Sequence, residues 1–203
     1  KSNQFDFLVG LLPNNVQTGK LLLTGQATLH LVNSFSHGEG IDVNWQQLQY
    51  KSPQLHLAFQ YPYLFSSPFG ISVQFDLFRK DSSYLNVDAV AGLQYQLSST
   101  EYVKITLQQH RSTLLTVDTA TIKYTHQLPD NVDIAQTMAG FEYTTDRTDY
   151  RLNPRKGYQL SLSISGGSKK IIRNNTILQL QDAGTDFKYA SLYDSLQLHS
   201  YKA

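Results

Sequence analysis

The sequence predicts an all-β fold, an antiparallel up-and-down meander of about ten strands. Three observations carry this expectation. Apolar and polar residues alternate along most of the 203 residues, the repeat of a strand whose successive side chains point to opposite faces. No segment holds the 3.6-residue period of a helix. The alternating runs are separated by clusters of Ser, Pro, Gly, Asn and Asp, the residues of turns. The clearest run lies between positions 84 and 97, where Leu85, Val87, Ala89, Ala91, Leu93, Tyr95 and Leu97 alternate with Asn86, Asp88, Gln94 and Gln96.

The first strand is expected over 5–11 (Phe5, Asp6, Phe7, Leu8, Val9, Gly10 and Leu11). It reads as short and ended by Leu12-Pro13, because proline has no N–H to give to a ladder. The second covers 20–32, with Leu23, Ala27, Leu29 and Leu31 opposite Thr24, Gln26, Thr28 and His30. In the third, Ile41, Val43 and Trp45 alternate with Asp42, Asn44 and Gln46, and the apolar phase slips by one residue before Leu48. Such a slip marks a bulge or the end of the membrane-depth part of that strand. The fourth and fifth strands are built on Leu55, Leu57, Phe59 and Tyr61, then on Ile71, Val73, Phe75 and Leu77. After the 84–97 run come strands on Val103, Ile105 and Leu107, on Ala139, Phe141 and Tyr143, and on Tyr158, Leu160, Leu162 and Ile164. A last short strand is expected over 195–203.

Some connections are brief. Lys51-Ser52-Pro53 and Ser98-Ser99-Thr100 read as hairpin turns between antiparallel neighbours. Two are long, over 111–135 and 168–194, and their weak periodicity is that of loops.

Composition narrows the function classes. The net charge is +1, so there is no basic field for nucleic acid, and a nucleic-acid partner is excluded. Cysteine is absent, which removes disulfide staples, thiolate catalysis and zinc-thiolate sites. No run approaches the roughly 18 consecutive apolar residues of a membrane helix. Lys1-Ser2-Asn3-Gln4-Phe5 has no signal-peptide architecture, and the pattern is still running at Tyr201-Lys202-Ala203, so a piece of a longer chain is expected.

Periodicity alone leaves open which solvent the apolar faces meet. In a soluble sandwich or ligand-binding barrel they point inward; in a transmembrane barrel they face lipid around a polar lumen. Three features favour the membrane. Runs 20–32 and 84–97 reach or exceed the roughly 9–11 residues that cross a bilayer, against ~5–6 in soluble sheets. The polar faces carry neutral amides and hydroxyls, with charged residues at only 16%, where soluble surfaces use Lys and Glu in quantity. Aromatics gather at run ends, as in Tyr61-Pro62-Tyr63-Leu64-Phe65 and Phe69, the placement of an interfacial girdle.

The turns carry a family resemblance. Tyr61-Pro62-Tyr63-Leu64-Phe65, followed by Gly70, resembles the asparagine-proline-tyrosine-phenylalanine turn of the BamA/TamA family of outer-membrane assembly barrels (bacterial surface antigens), with Tyr61 in place of the usual asparagine. Gly38-Glu39-Gly40 is similar to the glycine-x-glycine that opens that family's third strand, and Asn153-Pro154-Arg155-Lys156-Gly157 resembles the turn that opens its ninth. The motifs fall in the family's order across nearly the whole chain, 1–203 as one partial barrel domain.

The resemblance implies an antiparallel up-and-down transmembrane β-barrel, about ten strands of a roughly sixteen-stranded barrel that this stretch leaves incomplete. It implies a bacterial outer-membrane location and an assembly factor that folds client β-barrels at a lateral seam along the first strand. Such a seam needs neither catalytic residue nor cofactor, since exposed N–H and C=O groups template an incoming strand. The implied partners are outer-membrane lipid, unfolded client barrels and, through POTRA modules before Lys1, periplasmic assembly factors. Turns 35–40, 62–69, 97–100 and 147–155 would face the periplasm. Loops 14–19, 51–53, 80–83, 111–135 and 168–194 would face outside, so all the long loops share one side.

An outer-membrane enzyme is the remaining reading. His30 and His56 lie on polar faces with Asp42, Asp76, Asp88 and Glu142 as companions, but no metal-ligand triplet or nucleophile elbow accompanies them. Arg155 and Lys156 are placed to meet lipid headgroups, and Asn174-Asn175-Thr176 matches a glycosylation acceptor. On the membrane reading Leu85, Val87, Ala89, Ala91, Leu93 and Tyr95 face lipid. A Glu at Ala91 should then impair insertion by about 1–2 kcal/mol, below the ~2–4 of Arg or Lys at the midplane, while a Glu at Gln94 should be nearly neutral. Membrane-integrated fractions of the two variants measure the difference, and equal tolerance would contradict the assignment.

Overall fold

A computed structural model describes residues 3–15, 20–150, 153–181, 187–194 and 198–202. They form one antiparallel sheet in simple sequence order: β1 (Gln4–Asn15), β2 (Lys20–Val32), β3 (Gly40–Gln47), β4 (Gln54–Tyr61), β5 (Phe69–Lys80), β6 (Tyr84–Ser98), β7 (Glu101–Leu114), β8 (Ile134–Asp146), β9 (Gln159–Ile171) and β10 (Leu198–Lys202). β1 and β10 are the two edges, so the sheet is not closed into a barrel. No described helix is long and apolar enough to cross a membrane. Parts of the expected turns and of the last strand, 16–19, 151–152, 182–186, 195–197 and 203, lie outside the described residues.

Unbroken register joins the faces. Phe5 pairs with Leu29, Leu29 with Val43, Val43 with Leu57, Leu57 with Phe75 and Phe75 with Ala89. Paired residues share a face, so the apolar sets of neighbouring strands merge into one surface. The row that begins Asp6, Thr28, Asn44 and His56 continues through Asp76, Asp88 and His110 and makes the other face.

Exposure separates the two faces across β6, β7 and β8. Along β6 the apolar positions Ala91, Leu93, Tyr95 and Leu97 are exposed, whereas Gln94 and Gln96 between them are half-buried. Leu85, Val87 and Ala89 share the apolar face but are half-buried by their neighbours. Ile105, Leu107, Leu162 and Ile164 on the adjoining strands are 57–62% exposed. Side chains converge on the polar side: a Cβ at Gly92 would stand 2.6 Å from Ser72 Oγ and Lys104 Cε, and one at Gly140 2.6 Å from Thr106 Oγ1. Crowding on one face and exposure on the other are what a sheet curled toward its polar face produces.

Several elements depart from the sequence pattern. β1 is not short and does not stop at Leu12-Pro13; it spans 12 residues, pairs Pro13 with Leu21 and shifts register only between Pro13 and Asn15. An edge strand bonds on one side alone, so a missing N–H is tolerated there. The phase slip after Trp45 is the end of β3 at Gln47, with no bulge in either of its pairings. β7, β8 and β9 run well beyond their alternating segments, to 13 or 14 residues. Their extra length carries polar residues on the outward face, such as Gln109, Arg111, Thr137 and Lys170. The ladder continues there although the alternation has ended.

The long loops hold two helices, α1 (Thr119–Thr125) and α2 (Asn175–Leu178). At 7 and 4 residues they are too short to display a period. Asp118 caps α1 by accepting from Ala120 and Thr121, and His126 ends it in a left-handed conformation.

Candidate functional site

Three features of the sheet are candidates for function: its first edge, the turn end, and the polar face.

Phe5, Asp6, Phe7, Leu8, Val9, Gly10 and Leu11 all lie on β1, fully paired with β2 from Leu29 back to Leu23. Their other edge has no strand partner among the described residues. Phe5, Phe7, Val9 and Leu11 are 52–71% exposed on the apolar face, and Leu8 is 64% exposed on the polar one. The strand is thus uncovered on both faces as well as along its edge. Asn3 ties down its start, with its Oδ1 accepting from Val32 N at 2.8 Å.

At the turn end, two of the family-like motifs meet. The Gly38-Glu39-Gly40 turn packs on the Tyr61-Pro62-Tyr63 turn: the rings of His37 and Tyr61 stack at 6.0 Å, and a Cβ at Gly38 would lie 3.4 Å from Pro62 Cγ. Gly70 is required by close approach, since a Cβ there would be 2.8 Å from the Pro62 carbonyl. Phe35, Tyr63 and Phe65 stand out from this rim at 54–89% exposed. Glu39 is buried and accepts hydrogen bonds from Phe35 N and from His37 N (3.1 Å), closing the turn from inside. The Phe35 amide, joined by that of His37, holds its carboxyl below the ordinary value of 4.5 against the opposing effect of burial.

The third motif, Asn153-Pro154-Arg155-Lys156-Gly157, sits at the same end between β8 and β9. Gly157 has φ +106°, and a Cβ there would collide with the Arg147 carbonyl, so only glycine fits. Asp149 accepts from the amides of Arg155 and Lys156, chiefly the Lys156 amide holding its carboxyl below the usual range. The motif residues therefore serve backbone geometry, and Arg155 is exposed.

On the polar face the structure pairs the histidines with aspartates from the facing strand. His30 bonds Asp42, His56 bonds Asp76 at 2.5 Å, and His110 bonds Asp88 at 2.7 Å. Asp76 and Asp88 are themselves direct partners across β5 and β6, giving a His56-Asp76-Asp88-His110 row. Among the described residues no nucleophilic hydroxyl bonds these imidazoles, and no three acidic or imidazole groups gather to hold a metal ion. Glu142 is separate, bonded to Tyr102 and Thr144.

Sequence reading missed the loop end altogether. The buried hydrophobic residues among those described are Ile122, Ile177, Tyr189 and Tyr193, all from the two long loops. Asp133 joins those loops to the sheet, accepting from Leu114 N at 2.6 Å and from Asn174 Nδ2 at 2.9 Å. Asn174 is thus an interior fastener and the N-cap of α2, which takes the glycosylation match out of consideration. Burial raises the Tyr193 phenol above its ordinary value, and its OH accepts from Asn174 N. Asp118 and Asn174 ahead of short apolar groups were the only cues to this cap.

No family model matches the chain, and no curated protein matches it.

The Glu39 turn yields a pH prediction. A carboxyl whose folded pKa is depressed contributes stability above its unfolded value, and that contribution is lost as pH falls through the lower folded value. Amide exchange at Phe35 and His37 should therefore accelerate as pH is lowered below about 4.5, beyond the intrinsic trend. Glu39→Gln should show fast exchange at neutral pH with no such step; an unchanged profile would contradict the assignment.

Proposed function

We propose that this chain is part of an outer-membrane β-barrel of the assembly-factor kind, with lipid against its apolar face and client strands received at the free edge of β1. The observation that carries the membrane reading is the inversion of exposure: the apolar residues in β6, β7 and β8 are exposed, and the polar residues between them are half-buried on the crowded side that holds the His–Asp pairs. A soluble barrel needs the reverse. Strand lengths of 12–15 residues in β1, β2 and β5–β9 suffice for tilted crossings.

The seam reading rests on the uncovered edge. β1 presents a row of backbone groups with no strand beside them and exposed Phe5, Phe7 and Leu8 around them. Edge strands of this kind template added strands. Main-chain bonds would supply most of the affinity, independent of client sequence, and the apolar side chains would hold the client at membrane depth. The resemblance of the three turns to the BamA/TamA family points the same way. On this reading the partners are membrane lipid and unfolded barrels, with periplasmic assembly proteins engaged through other parts of the protein, and no cofactor takes part.

A photo-crosslinking residue at Leu8 in membranes bearing the protein tests the reading. The protein should resist extraction by alkaline carbonate, and Leu8 should crosslink to a small unfolded barrel client whose folding it accelerates, whereas the same residue at Leu107 should not. Extraction into the soluble fraction would remove the membrane assignment. Equal crosslinking from both positions would remove the seam.

A further inference from the structure

The polar face carries, besides its His–Asp pairs, a continuous groove toward the loop end. One cavity of about 410 Å³ is lined by Asn44, Gln46, Gln54, Phe78, Asn86 and the His56-Asp76-Asp88 row. A second of about 430 Å³ lies under the 130–132 segment, against Tyr84, Asn86, Ser112 and Lys169. A third, beside Gln46, Phe78, Lys80 and Tyr84, adjoins both. Asn86 belongs to the first two, Phe78 to the first and third, and Tyr84 to the last two.

The chemistry of this groove is selective. Its amides offer donors and acceptors side by side. The carboxylates of Asp76 and Asp88 are already engaged by imidazoles, so they present spare lone pairs without being vacant charge sites. The half-buried rings of Phe78 and Tyr84 meet edge-to-face at 6.0 Å and give the groove an apolar wall. Asn86 stands between them and the carboxylates, and its Oδ1 is buried without a hydrogen-bond partner. A buried acceptor left open is costly, and a ligand donor met by rotation of the amide would relieve it. A metal ion lacks three ligands here. An anion would meet only Lys80 and Lys169 at the margins, with Asp76, Asp88 and Asp130 nearer the middle.

We infer that this groove binds a neutral polyhydroxylated chain, an oligosaccharide, with Phe78 and Tyr84 packing on the C–H face of a sugar ring. Vicinal hydroxyls donate to the Asp76 and Asp88 carboxylates and, once its buried amide turns toward the groove, to Asn86 Oδ1, and accept from the amide nitrogen of Gln54 and the second N–H of Gln46, whose first is given to Gln54 Oε1. Sites of mostly fixed shape with a few convergent polar groups bind small ligands in this way. The inference rests on the polar face alone and stands or falls apart from the client-strand seam.

The test is binding of the full chain, held in zwitterionic micelles free of sugar-based detergent, to a printed array of neutral and anionic glycans. Titration calorimetry with the strongest neutral binder follows. Saturable binding to at least one neutral glycan is expected. Asn86→Ala and Phe78→Ala should each weaken it on the order of tenfold, and Leu93→Ala on the opposite face should leave it unchanged. Asn86→Ser serves as a second variant should Phe78→Ala fail to fold by circular dichroism. No binding across the array, binding confined to anionic glycans, or affinity equal in wild type and the groove variants would overturn the proposal.

Discussion

Everything in this sheet depends on one constraint, the preservation of strand parity from β1 to β9. Each strand has two faces, and each pairing either passes its faces on in phase or reverses them. A slip of a single residue at any ladder would turn the apolar set of every later strand to the other side. The two register shifts lie where they do least harm, between Pro13 and Asn15 at the end of β1 and between Gln96 and Ser98 at the end of β6. Between those points the faces stay in phase. That continuity makes one apolar surface out of separate strands, and it stacks His56, Asp76, Asp88 and His110 into a row on the other side.

The tight turns keep the parity by fixing how each strand returns. Gly157 and Gly70 admit backbone where a side chain would collide, and the buried carboxylate of Glu39 and the exposed one of Asp149 accept the main-chain amides of their turns. At the opposite end a different physics applies. The long loops bury Ile122, Ile177, Tyr189 and Tyr193 against each other, at about 1.5–3 kcal/mol for each fully buried aliphatic side chain. This cap is organised like a small soluble core. Its Asp133-Asn174 link and its contact over the Asn86 groove tie it to the polar face of the sheet. Among the described residues the sheet itself has no such core, and its apolar face is exposed.

The strand order, the shared faces and the ten strand positions were legible in the sequence because a two-residue period is the direct signature of pairing on a half-apolar surface. Legibility failed where that surface ends. The outer parts of β7, β8 and β9 bear Gln109, Arg111, Thr137 and Lys170 outward, so the alternation vanished while the backbone ladder went on. Pro13 misled for a related reason: proline excludes a central strand but not an edge, and which strand is an edge is a property of the sheet. At the candidate site, residues 5–11 fall on β1 and the turn motifs between strands, and Asp42, Asp76 and Asp88 stood out beside His30 and His56 in the sequence, whereas the part of His110, Asn86 with its open acceptor, and the Phe78 and Tyr84 rings emerged only when register set distant residues side by side. Val90 and Gly92, apolar or small yet inward, show that the polar face tolerates small residues where side chains crowd.

The proposed orientation puts lipid against the apolar face and water against the polar one. The chain has no cysteine, so a single Cys at Leu107 or at its neighbour Gln108 gives one unique label on each face of β7. In bilayers the Leu107 label should be quenched by lipids brominated on their acyl chains and shielded from aqueous iodide, and the Gln108 label should behave in the opposite way. Equal quenching at both positions, or the reverse pattern, would contradict the orientation on which the structure has been interpreted.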